Sequence, residues 1–402
     1  MRWTIAKKRC AAYNHGSTQI SKFFWAPRPP AYISCVVESP PVVFHGSPQD
    51  STRAMLSGLL HIHVEEQPVV VCSFMATLRL RITNKRPKKK GCQECMHQST
   101  ELKTWTFLAA ATELPTGQHH FPFSELLEGS LPASIDMPLG SISYHFEAVA
   151  IVLDDRNRTS CYPAKFERTV LIKRSIPEPL SSLRTVLSFD TGINIMAQYD
   201  QVIYPTGTKK MTLGLNGLRM CSGTGNALSQ WVVRVVTWKL DENITTNFAA
   251  CHTHSNLAVI GREGEVTLHK KIRTLGYECL TDAWKADYST TNGTVEVMLE
   301  YGVAGSPHPS QLAKYACDVN AYGYIKSTHV LHVCIALSTQ SASETKPLGS
   351  RPATCTLSMT LPVTLTEPGD SALSWENESL PIYRDSCESP PVYIATMSVG
   401  GL

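Results

Sequence analysis

At 402 residues and 43% hydrophobic content, the chain is long enough to bury two separate cores. Charged residues make up 18% and the net charge is +3, which excludes a protein built mainly to neutralise nucleic acid. Thirteen cysteines, an odd number at irregular spacing, do not form a disulfide framework and point to a reducing, cytosolic compartment.

Residues 1–28 read as a disordered N-terminal arm. Met1 to Gly16 is basic but lacks the continuous apolar stretch of a signal peptide. No apolar run anywhere is long enough to span a membrane as a helix. Short runs rich in Val, Ile, Thr, Leu and aromatics follow, separated by Gly, Pro, Asn and Asp clusters. In chain order they are 59–65, 74–83, 142–152, 169–174, 210–218, 231–240, 294–301, 329–337 and 355–366. In the first, Leu59, His61 and His63 alternate with Leu60, Ile62 and Val64, the period of a half-buried strand. Tyr144, Phe146 and Ala148 share one strand face and read as core. Phe121-Pro122-Phe123 followed by Leu131-Pro132 suits an edge, with aromatics anchored inward and prolines removing ladder donors.

Many short strands with turn chemistry between them predict an all-β chain of two tandem antiparallel, immunoglobulin-like β-sandwiches with disordered tails. The run Ser175-Ile176-Pro177-Glu178-Pro179-Leu180 divides two halves of similar length. The expected organisation is a first sandwich over 29–174, a linker over 175–196, a second sandwich over 197–366 and a tail over 367–402.

The tail carries Leu380-Pro381-Ile382-Tyr383 and Pro390-Pro391-Val392-Tyr393. Proline presets the left-handed polyproline conformation, and three residues per turn bring the tyrosine onto the side of the first residue of each motif. Leu380 substitutes for a proline because a residue before proline is already extended. This is the ridge that WW domains read. Pro390, Pro391 and Tyr393 rank first, and Leu380, Pro381 and Tyr383 second. A third match, Pro29-Pro30-Ala31-Tyr32, directly precedes the first strand, where Tyr32 reads as a packing residue.

No nucleophile elbow, phosphate loop, dinucleotide fingerprint or zincin helix is present, so no catalytic residue is assigned and an enzyme is not expected. No cofactor is expected. Cys92 and Cys95, with His97 near, have zinc-ligand spacing, and Cys251-His252-Thr253-His254 offers further ligands. The two clusters fall in different predicted sandwiches, so each reads as an ordinary loop with reduced thiols, and Cys92 and Cys95 remain weak metal candidates. The basic run from Lys85 to Lys90 reads as a solvated loop able to touch anionic lipid, so only peripheral membrane contact is expected and no nucleic acid.

With these strands placed, the chain resembles the fungal α-arrestins, or arrestin-related trafficking adaptors. The resemblance rests on Glu38-Ser39-Pro40-Pro41-Val42-Val43-Phe44, Glu101-Leu102-Lys103-Thr104-Trp105, Gly117 to Ser124 and Gly140 to Ala148 in the first half. In the second half it rests on Tyr204-Pro205-Thr206-Gly207, Trp231-Val232-Val233-Arg234 with Trp238, Ala316-Cys317-Asp318-Val319 and Tyr322-Gly323-Tyr324. It closes with Thr366-Glu367-Pro368-Gly369 and Ser374-Trp375-Glu376-Asn377-Glu378, leading into the tail motifs.

The resemblance implies arrestin N-terminal-like and C-terminal-like sandwiches that engage cytosolic tails of plasma-membrane transporters or receptors. It further implies a tail that recruits a WW-domain HECT-type ubiquitin ligase, so that ubiquitin is attached to the cargo and endocytosis follows. The expected location is the cytoplasm, with recruitment to the plasma membrane and endosomes. No ubiquitin-acceptor lysine is singled out; Lys209, Lys210, Lys270 and Lys271 are exposed-looking candidates only. The alternative implied is a retromer-like sorting coat that works without a ligase. No motif anchors the buried polar core that holds some arrestins inactive.

Overall fold

Alternation of apolar and polar residues dictates nearly all of the regular structure. The computed structural model describes residues 30–153, 161–221, 228–249, 251, 253, 266–282, 284–289, 292–303, 315–341 and 352–369. Among them are twenty-two strands and a single one-turn helix.

The first half stacks two antiparallel sheets. One orders β1 (Ala31–Val37), β3 (Ala54–Val64) and β7 (Gly117–Leu127). The other orders β10 (Cys161–Val170), β9 (Gly140–Leu153), β4 (Val69–Asn84) and β5 (His97–Leu108), with β6 (Thr112–Leu114) on β4 and β8 (Ile135–Asp136) on β9. A parallel pair of β2 (Val42–His45) and β11 (Ile172–Ser175) closes this half, and α1 (Gln93–Met96) lies between β4 and β5.

The second half repeats the plan. Its smaller sheet orders β12 (Leu183–Ser188), β13 (Asn194–Tyr199), β15 (Thr208–Asn216) and β19 (Thr294–Gly302). The larger orders β14 (Val202–Ile203), β22 (Thr354–Leu365), β21 (Ile325–Ser341), β17 (Leu228–Ala249) and β16 (Arg219–Cys221). On it β18 (Val266–Leu280) pairs with β17, and β20 (Val319–Ala321) pairs with β21. Here too a parallel pair, β14 with β22, closes the half.

β9 shows how the pattern makes the layer. Every second residue from Gly140 to Val152 is buried, among them Tyr144, Phe146 and Ala148 as expected. Phe74, Phe121, Phe123 and Phe146 meet there at offset or edge-to-face ring distances, the arrangement that adds to plain area burial. β7 pairs only with β3, so Pro122 costs its sheet no donor on an interior ladder. The second core is more aliphatic, with Tyr199, Tyr301, Trp231 and Trp238 buried within it.

Two expectations change. The interval 175–196 is not linker throughout: β12 and the start of β13 lie in it and pair across the second half. The strands of the second half are also not uniformly short. β17 runs 22 residues and β21 runs 17. Their far ends leave the second core, and Ile244, Phe248, Ala316, Ala321 and Ile325 pack into the core of the first half. At that crossing a Cβ on Gly140 would sit 2.8 Å from the Thr83 carbonyl oxygen of β4 and 2.7 Å from Ile325 Cδ1, so glycine fits where these strands meet.

Candidate functional site

Between the two cores β17 must cross a polar step, and it does so with a cluster of charges. Glu242 is fully buried and faces Arg273 of β18 on one side and His329 of β21 on the other, each directly opposite in register. Arg273 grips both carboxylate oxygens, with Nη2 at 2.9 Å from Oε1. The Ala316 amide donates to Oε1 at 2.8 Å, and His329 Nε2 lies 3.7 Å from it. On its other nitrogen His329 meets Asp318 Oδ1 at 2.5 Å, and the Leu365 amide donates to the same oxygen at 2.8 Å.

The electrostatics follow from these contacts. Burial works against the His329 cation, but Asp318 and Glu242 outweigh it and hold the imidazole above its ordinary value. Burial likewise works against the Glu242 carboxylate. The nearby His329 imidazole, with the hydrogen bonds from Arg273 and the Ala316 amide, prevails and holds its pKa down. Replacing such a cluster by apolar residues of similar volume is often neutral, whereas removing one partner alone is costly.

The linker and the root of the tail meet at this junction. Arg174, at the end of β11, donates to the carbonyls of Gly46 (2.9 Å), Gly129 (2.6 Å) and Leu131 (2.8 Å) and stands over the Phe44 ring. Its own carbonyl accepts from Thr366 Oγ1 and the Glu367 amide, and Lys173 Nζ pairs with Glu367 at 3.0 Å. A groove of about 360 Å³ opens alongside, between Leu171 and Lys173 of the first half and Tyr315 and Cys317 of the second. Burial pushes the Tyr315 phenol up to about 12 and drives the Cys317 thiol up as well, with Glu367 adding to both.

Of the residues singled out in sequence, the two tail motifs, with Leu380, Pro381, Tyr383, Pro390, Pro391 and Tyr393, lie outside the described residues, as do Pro29, His252 and His254. Tyr32 sits in β1 opposite His63 and stacks on its ring at 4.5 Å. Docking that tyrosine in a WW groove would require the start of β1 to leave its sheet. Lys210, Lys270 and Lys271 are exposed, but Lys209 is half-buried, ion-paired with Glu178 and 5.3 Å from the Tyr204 ring centre.

The expectation that the two cysteine clusters stay apart is wrong. Cys92 and Cys95, flanking the turn of α1, meet Cys251, just past the end of β17. Cys251 Sγ lies 3.8 Å from Cys92 Sγ and 3.4 Å from Cys95 Sγ. The backbone amide of Cys95 holds the Cys92 thiol below its ordinary value. His97 does not join them: its Nδ1 is 3.0 Å from Thr83 Oγ1 across the β4–β5 ladder.

The all-β fold agrees with what the chain is similar to. A family profile described as "LDB19: Arrestin_N terminal like" matches residues 75–258. An uncharacterized protein of Schizosaccharomyces pombe is 24% identical over 383 residues, 95% of this chain and 92% of its own. Protein LDB19 of Eremothecium gossypii is 33% identical over 237 residues, 54% of this chain and 32% of its own. The chain is similar to the fungal α-arrestins through this arrestin N-terminal-like match.

A further relative carries a function in its name. The HECT-type ubiquitin ligase-interacting protein apyA of Emericella nidulans is 31% identical to this chain over 121 residues, 26% of this chain and 32% of its own. The matched profile describes an arrestin-like domain, and none of these three relatives carries the name of an enzyme.

Proposed function

We propose that this chain is an adaptor that brings a WW-domain HECT-type ubiquitin ligase to plasma-membrane transporters or receptors, promoting their ubiquitination and endocytosis. It acts in the cytoplasm and is recruited to the plasma membrane and endosomes. The sandwiches would take the cargo's cytosolic tail, and the tail motifs would take the ligase. One observation carries the reading: two proline–tyrosine motifs follow an arrestin-like body whose relative is named for interacting with a HECT-type ligase.

The geometry adds a physical reason for the layout. Thr366 and Glu367 tie the root of the tail to the carbonyl of Arg174, so the tail starts from a fixed point on the junction. Two motifs ten residues apart make the second WW contact intramolecular, and such tethering raises overall affinity by about 10²–10⁴.

The test is a binding titration of the full chain against a tandem WW array. Tyr393→Ala should weaken binding by about 10²-fold through loss of the tethered site, and adding Tyr383→Ala should abolish it. Undiminished binding by the double variant would overturn the reading.

A further inference from the structure

We propose that Cys92, Cys95 and Cys251 form a thiolate site for a zinc-class divalent metal that clips the two halves of the molecule together. No other group of three or more Cys, His, Asp or Glu side chains among the described residues brings its ligand atoms so close. The three sulfurs all lie within 4.8 Å of one another.

The distances suit a metal better than a covalent bond. Sulfurs at the corners of a tetrahedron with zinc–sulfur bonds of 2.3 Å stand about 3.8 Å apart. The two edges made by Cys251 are 3.8 Å and 3.4 Å, close to that edge and far beyond a disulfide's ~2.05 Å. The local backbone is already shaped for it. Gly91 takes a φ of +82°, Cys92 caps the turn of α1 with its carbonyl accepting from Met96, and the three-residue spacing puts Cys95 on the same side.

The surroundings fit the charge. Metal binding releases the three thiol protons to solvent, and a divalent ion with three thiolates carries one net negative charge. Lys88, Lys89 and Lys90, all exposed, lead directly into Cys92, and the Lys89 carbonyl accepts from the Cys92 amide. The basic loop thus acquires a local counter-charge. Cys95 is buried while Cys92 and Cys251 are half-buried, so among the described residues the fourth coordination position faces the open side of the site.

The position matters as much as the chemistry. Cys92 and Cys95 belong to the β4–β5 connection of the first half, whereas Cys251 follows the end of β17, the strand that holds Glu242. A bound ion would fasten the end of β17 to the first sandwich, beyond the ionic cluster and at the far side of Phe248.

The experiment uses the full chain, purified without chelator from zinc-containing medium, with zinc as the probe. Wild type is expected to hold close to one zinc per chain. Cys92, Cys95 and Cys251 should resist alkylation as purified and become labelled after chelation, as read by mass spectrometry on unmutated protein. Cobalt loaded into stripped wild type should give a sulfur-to-metal charge-transfer band. In Cys251→Ser that band should fall by about a third, and cobalt affinity should fall by more than about 100-fold. Substoichiometric zinc, alkylation indifferent to chelator, or a Cys251→Ser variant with the full band would each overturn the proposal.

Discussion

His61 and His329 are buried alike, 5% and 2% exposed, yet they are driven in opposite directions. His329 is flanked by Asp318 and Glu242 and is held above the ordinary 6.5. His61 lies on β3 with His120 Nδ1 at 2.8 Å from its Nδ1, Gln118 Nε2 at the same distance, and His63 two residues along. There burial comes first, and repulsion from His120 and His63 adds to it. Glu38 pulls the other way and is outweighed, so His61 stays below 6.5, as does His63. Burial alone therefore does not decide the charge of a histidine in this molecule. What the strand register places opposite it does.

The sharpest way to break the contrast is Glu242→Ala. It leaves Arg273 and His329 as buried or half-buried cations without their shared carboxylate, and removing one partner of such a cluster costs about 3–5 kcal/mol. Urea unfolding should show the loss, and a change below 1 kcal/mol would mean that the cluster is not a coupled unit. The same variant should bring the His329 titration down toward 6.5 and leave His61 unmoved.

A titration of the unmutated protein reads both centres at once. A raised folded value means that His329 contributes stability fully present below 6.5 and lost as pH rises through its folded pKa. Depressed values mean the reverse for His61 and His63. Their contribution is intact above 6.5 and is lost as pH falls toward their folded pKa values, because the unfolded chain takes up protons that the folded one refuses. Proton NMR of the ring resonances should place one midpoint above 6.5 and two below it. Coincident midpoints would dissolve the comparison.

The smallest effect is expected at the rim. Tyr32 is 44% exposed and stacks on His63, so Tyr32→Ala should cost about 0.5–1 kcal/mol in denaturant unfolding. It should leave binding of a WW array unchanged, because the ring is already committed to the sheet.

How much of this was legible in sequence follows from what is local. Alternation over 142–152 and 294–301 announced β9 and β19 because each buries one full face. β5 and β12 escaped notice because their residues are mostly exposed or half-buried, so no apolar alternation marks them. Pro177 and Pro179 made the segment after them look like linker, although the sheet resumes at Leu183. The charge cluster was invisible for another reason. Glu242, Arg273 and His329 lie on three strands, and only the pairing register brings them together. Cys92 and Cys251 are 159 residues apart, and no spacing rule links ligands across two sandwiches.

The reach of β17 past Glu242 bears on how the molecule comes apart. A cut at residues 175–182 separates the chain into halves, but it does not separate the cores. The N-terminal fragment would lose the lining supplied by Ile244, Phe248, Ala316, Ala321 and Ile325, and the C-terminal fragment would expose those same side chains to water. Neither piece is therefore expected to fold alone; the two halves should melt in one transition, and a ligand that holds either of them should stabilise both.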